Sequence, residues 1–235
     1  MKYISYSKIS SFITCPLKYN LQYVEKIEGD PASSSSAQLG KYIHEVLEHY
    51  REGLDINEVA KLFENKYTIA DEEKAVIPRL LETGSEHYKI YAGRNFESEL
   101  KIEHKANEDY TINGIIDKLY HLDDNKFAII DFKTGRSKSD NSLQMKFYIY
   151  LLWKNRGIPP SNVTCKVYYL RTKQTVTYEF DLDTMKEFEG WLMTMCELTE
   201  KVEKFNHNFS SACNYCAYRN NSCVPYKLRK EKYNI

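Results

Sequence analysis

Asn113-Gly-Ile-Ile-Asp117-Lys-Leu-Tyr-His-Leu-Asp-Asp124-Asn-Lys-Phe-Ala-Ile-Ile-Asp131-Phe-Lys133 is the stretch that decides the fold. Ile115–Tyr120 and Phe127–Lys133 are rich in β-branched and aromatic residues, and Asp123-Asp124-Asn125 between them is turn chemistry. A hairpin centred on Asp124 sets Asp117 directly across from Asp131, with Lys133 leaving the same face as Asp131. Two carboxylates facing each other across a ladder repel, and burying them raises the cost. A divalent cation between them removes both penalties, and hard oxygen ligands suit Mg²⁺ or Mn²⁺. A lysine beside such an ion can hold an attacking water or stabilise charge developing on a phosphate. The plainer alternative is a solvent-facing strand whose Asp and Lys simply pair. A one-residue slip in register would separate the carboxylates.

Working outward, Phe96–Lys105 alternates like a strand and turns through Asn107-Glu108-Asp109 into the hairpin, so that Glu99 also faces Asp117 as a further acidic group. Leu39–Gly53 is an amphipathic helix with Leu39, Ile43, Val46, Leu47 and Tyr50 in its stripe. His44 lies at the edge of that stripe, and Gly40, one turn earlier, permits close backbone approach. Thr134-Gly135-Arg136 is a turn, with Arg136 a candidate phosphate contact. A helix over about 139–155 follows, presenting Gln144 and Tyr148 on one face. Residues 5–24 read as a helix capped by Ser7 and interrupted at Cys15-Pro16, and 28–37 as a flexible loop. Residues 55–92 read as two helices, about 56–67 and 71–91, with Pro78 a kink, forming an insertion over the sheet. Asn162–Arg171 and Thr175–Asp181 form a strand pair, and a long helix follows over 183–206.

Cys213-Asn-Tyr-Cys216 with Cys223 is metal-ligand spacing. Three thiolates need a fourth ligand. Cys165 and Cys196 read as core residues, which leaves Cys15 as the candidate. Such a site, within a cysteine cluster over 207–226, would staple the two ends of the chain. Spacing alone leaves zinc and an iron–sulfur cluster both open. A chain of 235 residues with 42% hydrophobic and 28% charged residues suits a globular protein, here read as one domain over 1–235. The absence of a signal-peptide pattern or a long apolar run points to the cytoplasm and away from a membrane. Zero net charge gives no bulk argument for nucleic acid, and the basic residues Lys227, Arg229, Lys230 and Lys232 read as a solvated tail.

Gly40-x-x-x-His44, Gly114-Ile-Ile-Asp117, Asp131-Phe-Lys133 and Gln144-x-x-x-Tyr148, in that order and inside the cysteine frame, resemble the RecB-like branch of the PD-(D/E)XK nuclease superfamily. The likeness is greatest to its iron–sulfur members, the CRISPR-adaptation exonucleases, the AddB nuclease domain and viral relatives. It spans about residues 5–226 apart from 55–92. It implies a restriction-endonuclease-like α/β core, a central mixed sheet flanked by helices. It also implies Mg²⁺ or Mn²⁺ on His44, Asp117 and Asp131, with Lys133 acting on the attacking water. Gln144 and Tyr148 would contact DNA and support the site, and Cys15, Cys213, Cys216 and Cys223 would hold a [4Fe–4S] cluster. The expected activity is phosphodiester hydrolysis, foremost as a single-strand DNA exonuclease in recombination, repair or CRISPR-type processing, with a helicase or integrase as partner. Two departures stand out: no proline precedes Asp117, and Asp131 replaces the commoner glutamate. The alternatives are a catalytically weak Fe–S DNA-binding module in a recombination or integration complex, and a phosphatase acting on a small ester.

Overall fold

A computed structural model describes residues 1–30, 35–136 and 138–233. Six strands make one mixed sheet: β1 (Lys2–Ser5), β2 (Phe96–Lys105), β3 (Tyr110–His121), β4 (Phe127–Lys133), β5 (Val163–Tyr169) and β6 (Gln174–Tyr178). The β1–β3 and β4–β5 pairs are parallel and the others antiparallel. Long β3 is the spine. One edge pairs with β2, while the other pairs with β1 through 110–113 and with β4 through 118–121. Residues 114–117 pair with neither β1 nor β4, so β3 and β4 part company just where the two aspartates stand.

Helices cover both faces. α3 (Ser35–His49), α4 (Ile56–Lys61) and α6 (Ile77–Ile90) build one core with Tyr120, Ala128, Ile130 and Phe132 of the sheet, and the short α5 (Asp71–Lys74) lies against α3. On the other face α1 (Tyr6–Thr14), α7 (Ser142–Arg156) and α8 (Leu182–Lys201) pack on Ile112, Ile116, Ile129 and Val167. α7 is buried nearly all round, from Gln144 to Leu152, as expected of a helix enclosed by other elements. A small third core joins Leu21 to Tyr218 and Cys223, bringing α2 (Pro16–Tyr19) and its continuation against the C-terminal segment.

Several local expectations are corrected. Ser5, not Ser7, caps α1 by accepting the Lys8 N–H. The 55–92 segment holds three helices, and Pro78 opens α6 in its first turn, where a missing N–H costs nothing. α3 begins before Leu39 and stops at His49. Strand β1 was not legible, and the basic tail forms α9 (Val224–Tyr233). Residues 31–34 of the loop read over 28–37 lie outside the described residues.

The sheet has one irregularity that matters. The β2–β3 ladder runs from Phe96–Tyr120 to Lys105–Thr111 and skips only the pair Glu99–Asp117. Before this point even-numbered residues of β2 face α6: Phe96 packs on Tyr120, and Ser98 accepts Lys118 Nζ. After it, Leu100 and Ile102 face α7. β3 mirrors this, with Ile112 and Ile116 toward α7 but Lys118 over the Tyr88 and Phe96 rings. Both strands therefore exchange faces at one step, and Glu99 takes a left-handed φ of 46° to allow it. Such a backbone costs a β-carbon-bearing residue on the order of 1 kcal/mol.

Candidate metal and phosphodiester site

The β3–β4 fork gathers the motif residues. The ladder ends at Lys118–Ile130, in the register that sets Asp117 against Asp131. Beyond it the Asp117 carboxylate reaches across, and its Oδ2 accepts the Phe132 N–H at 3.0 Å. α3 brings His44 from one side: Nδ1 lies 3.2 Å from Asp117 Oδ2, and Nε2–H donates to Phe132 O at 2.9 Å. That second contact fixes the ring so that Nδ1 points at the carboxylate. A β-carbon on Gly40 would come 3.3 Å from Thr134 Oγ1, so the glycine keeps α3 close to the loop after β4.

α7 supports the other side. Lys133 Nζ stands 2.7 Å from Asp131 Oδ2 and donates to Gln144 Oε1 at 2.9 Å. Gln144 Nε2 donates to Asp131 Oδ1 at 3.0 Å and to Tyr148 OH at 2.7 Å. Gly114 lets α7 lie this near: a β-carbon there would sit 2.9 Å from Leu151 Cδ1.

Electrostatics divide the two aspartates. Burial works to raise the Asp117 pKa, but the His44 charge and hydrogen bond and the Phe132 N–H together lower it. Burial and the neighbouring Asp117 charge push Asp131 up, against the opposing pull of Lys133. For His44, burial disfavours the charge, yet Asp117 outweighs it and carries the pKa to about 9. A proton on His44 Nδ1 thus balances the Asp117 carboxylate beside it. Asp131 is 1% exposed, and its Oδ2 meets the Lys133 ammonium at 2.7 Å. A buried carboxylate beside a second carboxylate and an imidazole nitrogen is the donor set expected for Mg²⁺ or Mn²⁺. The residues present fit such an ion.

Arg136 stands apart from this group. It is exposed and donates to Glu73 Oε1 at 3.3 Å, where Arg171 also pairs with the buried glutamate. A groove lined by Lys18, Gln22, Arg136, Arg171, Tyr215 and Tyr218 leads from there to the cysteine segment. Sequence reasoning missed Glu73, His87 and Lys118. The first two lie in 55–92, read as free of chemistry. Strict alternation puts Lys118 opposite Asp117, as a surface lysine would be. It is instead fully buried, and burial together with Arg51 drops its pKa to about 7.

Cys15, Cys213, Cys216 and Cys223 line one cavity, with Leu17, Leu21 and His207. Backbone and side-chain bonds hold its two halves together: Leu17 N–H to Asn206 O at 3.2 Å, Asn208 Nδ2 to Thr14 O at 3.0 Å, and Tyr218 OH to Ile27 O at 3.0 Å. Burial, then the other three thiols, raise the Cys223 pKa. Among the described residues one set of three ligating groups lies mutually within 4.8 Å, and it is His44, Glu99 and Asp117.

No helix among the described residues is long and apolar enough to cross a membrane. No curated protein matches the chain significantly. Among solved structures it is similar to one titled "Crystal structure of SSO0001", with 17% identity over 92% of this chain and 83% of that one and a TM-score of 0.48. The sequence profile of the PD-(D/E)XK nuclease superfamily matches residues 3–223, which include every motif residue at the fork and all four clustered cysteines. The chain belongs to the PD-(D/E)XK nuclease superfamily.

Proposed function

We propose that the chain is a DNA exonuclease acting on single strands with Mg²⁺ or Mn²⁺. The observation that carries the hydrolytic reading is the pair of aspartates at the β3–β4 fork, Asp131 buried and Asp117 partly so, flanked by His44 on one side and Lys133 on the other. His44, Asp117 and Asp131 would hold the ion, which when bound polarises the phosphate and acidifies a water. Lys133, fixed by Asp131 and Gln144, has its ammonium form favoured: burial opposes the charge, and Asp131 outweighs burial. A cation so placed orients the attacking water or balances charge on the phosphate. Residues 204–233 support a polynucleotide substrate, since Lys204, Arg219, Lys227, Arg229, Lys230 and Lys232 oppose Glu231 alone in a chain of zero net charge. Tyr215 is 80% exposed within that segment, as a base-stacking residue would be.

The four-cysteine cavity is the proposed seat of a [4Fe–4S] cluster, with zinc the lesser alternative. Metal analysis and the visible spectrum of anaerobically purified protein test this; one equivalent of zinc and a colourless protein would replace the cluster reading. A helicase or integrase partner and a role in recombination, repair or CRISPR-type processing fit a small nuclease, as does a cytoplasmic site of action. The activity test is end-labelled single-stranded DNA with Mn²⁺ or Mg²⁺, beside Asp131→Ala and Lys133→Ala. Metal-dependent cleavage lost in both variants supports the reading, and the fate of the label gives the polarity. No cleavage by folded, fully loaded protein would leave a binding module of a larger complex.

A further inference from the structure

The geometry points to Glu99 as a further ligand of the metal centre, beyond the His44, Asp117 and Asp131 set of the proposed function, on whose reading it rests. Three observations converge. Glu99, His44 and Asp117 each offer one ligand atom, and these atoms lie within 4.8 Å of one another. Two ligands on one Mg²⁺ or Mn²⁺ with bonds of ~2.1 Å are about 3–4 Å apart, so small side-chain movements close the set on a single ion. Second, the Glu99 carboxylate faces the like charges of Asp117 and Glu48, with His44 and Lys118 attracting it. It stands against the Asp117 carboxylate, and a like-charged pair across two strands is unfavourable without a cation. Third, the face exchange of β2 and β3 occurs at this pair alone and turns both carboxylates toward the fork. Asp131, buried and paired with Lys133, stands beside this group through its Asp117 and His44 neighbours.

In this arrangement Asp117 is shared. One side of it meets His44 and Glu99, and the other faces Asp131. Glu99 therefore anchors the ion from β2, a strand that contributes to none of the four motifs, and holds it toward α3 and the open groove lined by Lys41, Glu48 and Tyr67.

The test is Mn²⁺ titration of the full chain, followed by electron paramagnetic resonance of the free ion and by the Mn²⁺-induced rise in melting temperature. Wild type is compared with Glu99→Gln and Glu99→Gly. The glycine variant suits the left-handed φ and removes the carboxylate without backbone strain. Both variants are expected to melt at or above the wild-type temperature without metal, because a carboxylate facing Asp117 has gone. Both should bind Mn²⁺ at least tenfold more weakly, with a smaller thermal shift. Affinity within twofold of wild type in either folded variant would overturn the assignment while leaving the nuclease reading intact. A wild-type chain with no Mn²⁺ affinity would remove both.

Discussion

Gln144 is the side chain on which the Asp131–Lys133 pair depends. Its amide meets both members and Tyr148 besides, so it sets the distance between a carboxylate and an ammonium that would otherwise collapse or swing apart. Gln144→Ala is expected to lower kcat by about 10- to 100-fold with little change in KM, the range typical of residues that orient ligands; single-turnover cleavage measures it. An unchanged kcat would show that Lys133 needs no such support. The register joining the aspartates was legible because side chains alternate strictly and the Asp123–Asn125 turn is explicit in composition. Glu99 was legible as a facing residue for the same reason. Its left-handed backbone and the face exchange were not, because a glutamate carries no signal for positive φ. Lys118 shows the complement of that failure: alternation exposes it, while the twisted strands bury it under Tyr88 and Phe96.

At the scale of elements, the site depends on how closely α7 and α3 approach the sheet. Gly114→Ala would push its new methyl against Leu151 and the Tyr148 ring. Forcing that methyl into a packed core costs about 1–3 kcal/mol. A fall of that size in urea-denaturation stability is expected, together with lower activity as α7 and Gln144 retreat. The glycine's place in the sequence was evident, and its reason, contact with a helix nearly 40 residues on, was not. α6 offers a second test. His87 is buried against Tyr88 and Phe132 and within 3.2 Å of Tyr120 OH, and burial holds its pKa at about 3. An unfolded histidine titrates near 6.5. The unfolded chain therefore binds one more proton between these values, and stability falls as pH drops from about 6.5 toward 3. His87→Phe keeps an aromatic ring and is expected to flatten this acid limb by about one proton, seen as a smaller difference between urea midpoints at pH 7 and pH 4.5. An equal difference in the two proteins would mean that His87 is charged in the fold. Nothing in the 55–92 sequence showed this role, because a lone histidine on a helix face reads the same whether it meets solvent or a core.

Across the whole molecule, charge and chemistry are separated. The fork concentrates carboxylates, with Glu45, Glu48, Glu99 and Asp117 around one groove. The cysteine-lined end concentrates cations, which the zero net charge concealed because the two halves cancel. For the polynucleotide substrate proposed above, this separation would favour approach at the cysteine-lined end. A groove from Tyr215 past Lys18 reaches Arg136 and Arg171 beside the turn that follows β4. Two kinds of substitution distinguish this path from a merely structural lobe. For a single strand, every phosphate that the protein ceases to neutralise lowers the slope of log affinity against log salt by about 0.7. Replacing Lys227, Arg229 and Lys230 together by Gln should therefore flatten the salt dependence of single-stranded DNA binding by up to about 2. Tyr215→Ala removes a stacking surface instead, and should weaken binding by about 1–3 kcal/mol without altering the slope. Fluorescence anisotropy across a salt series, in Ca²⁺ to hold back cleavage, reads both at once. If both variants keep wild-type affinity and slope, the strand enters the fork by another face, and the basic end serves only as a solvated surface of the C-terminal segment.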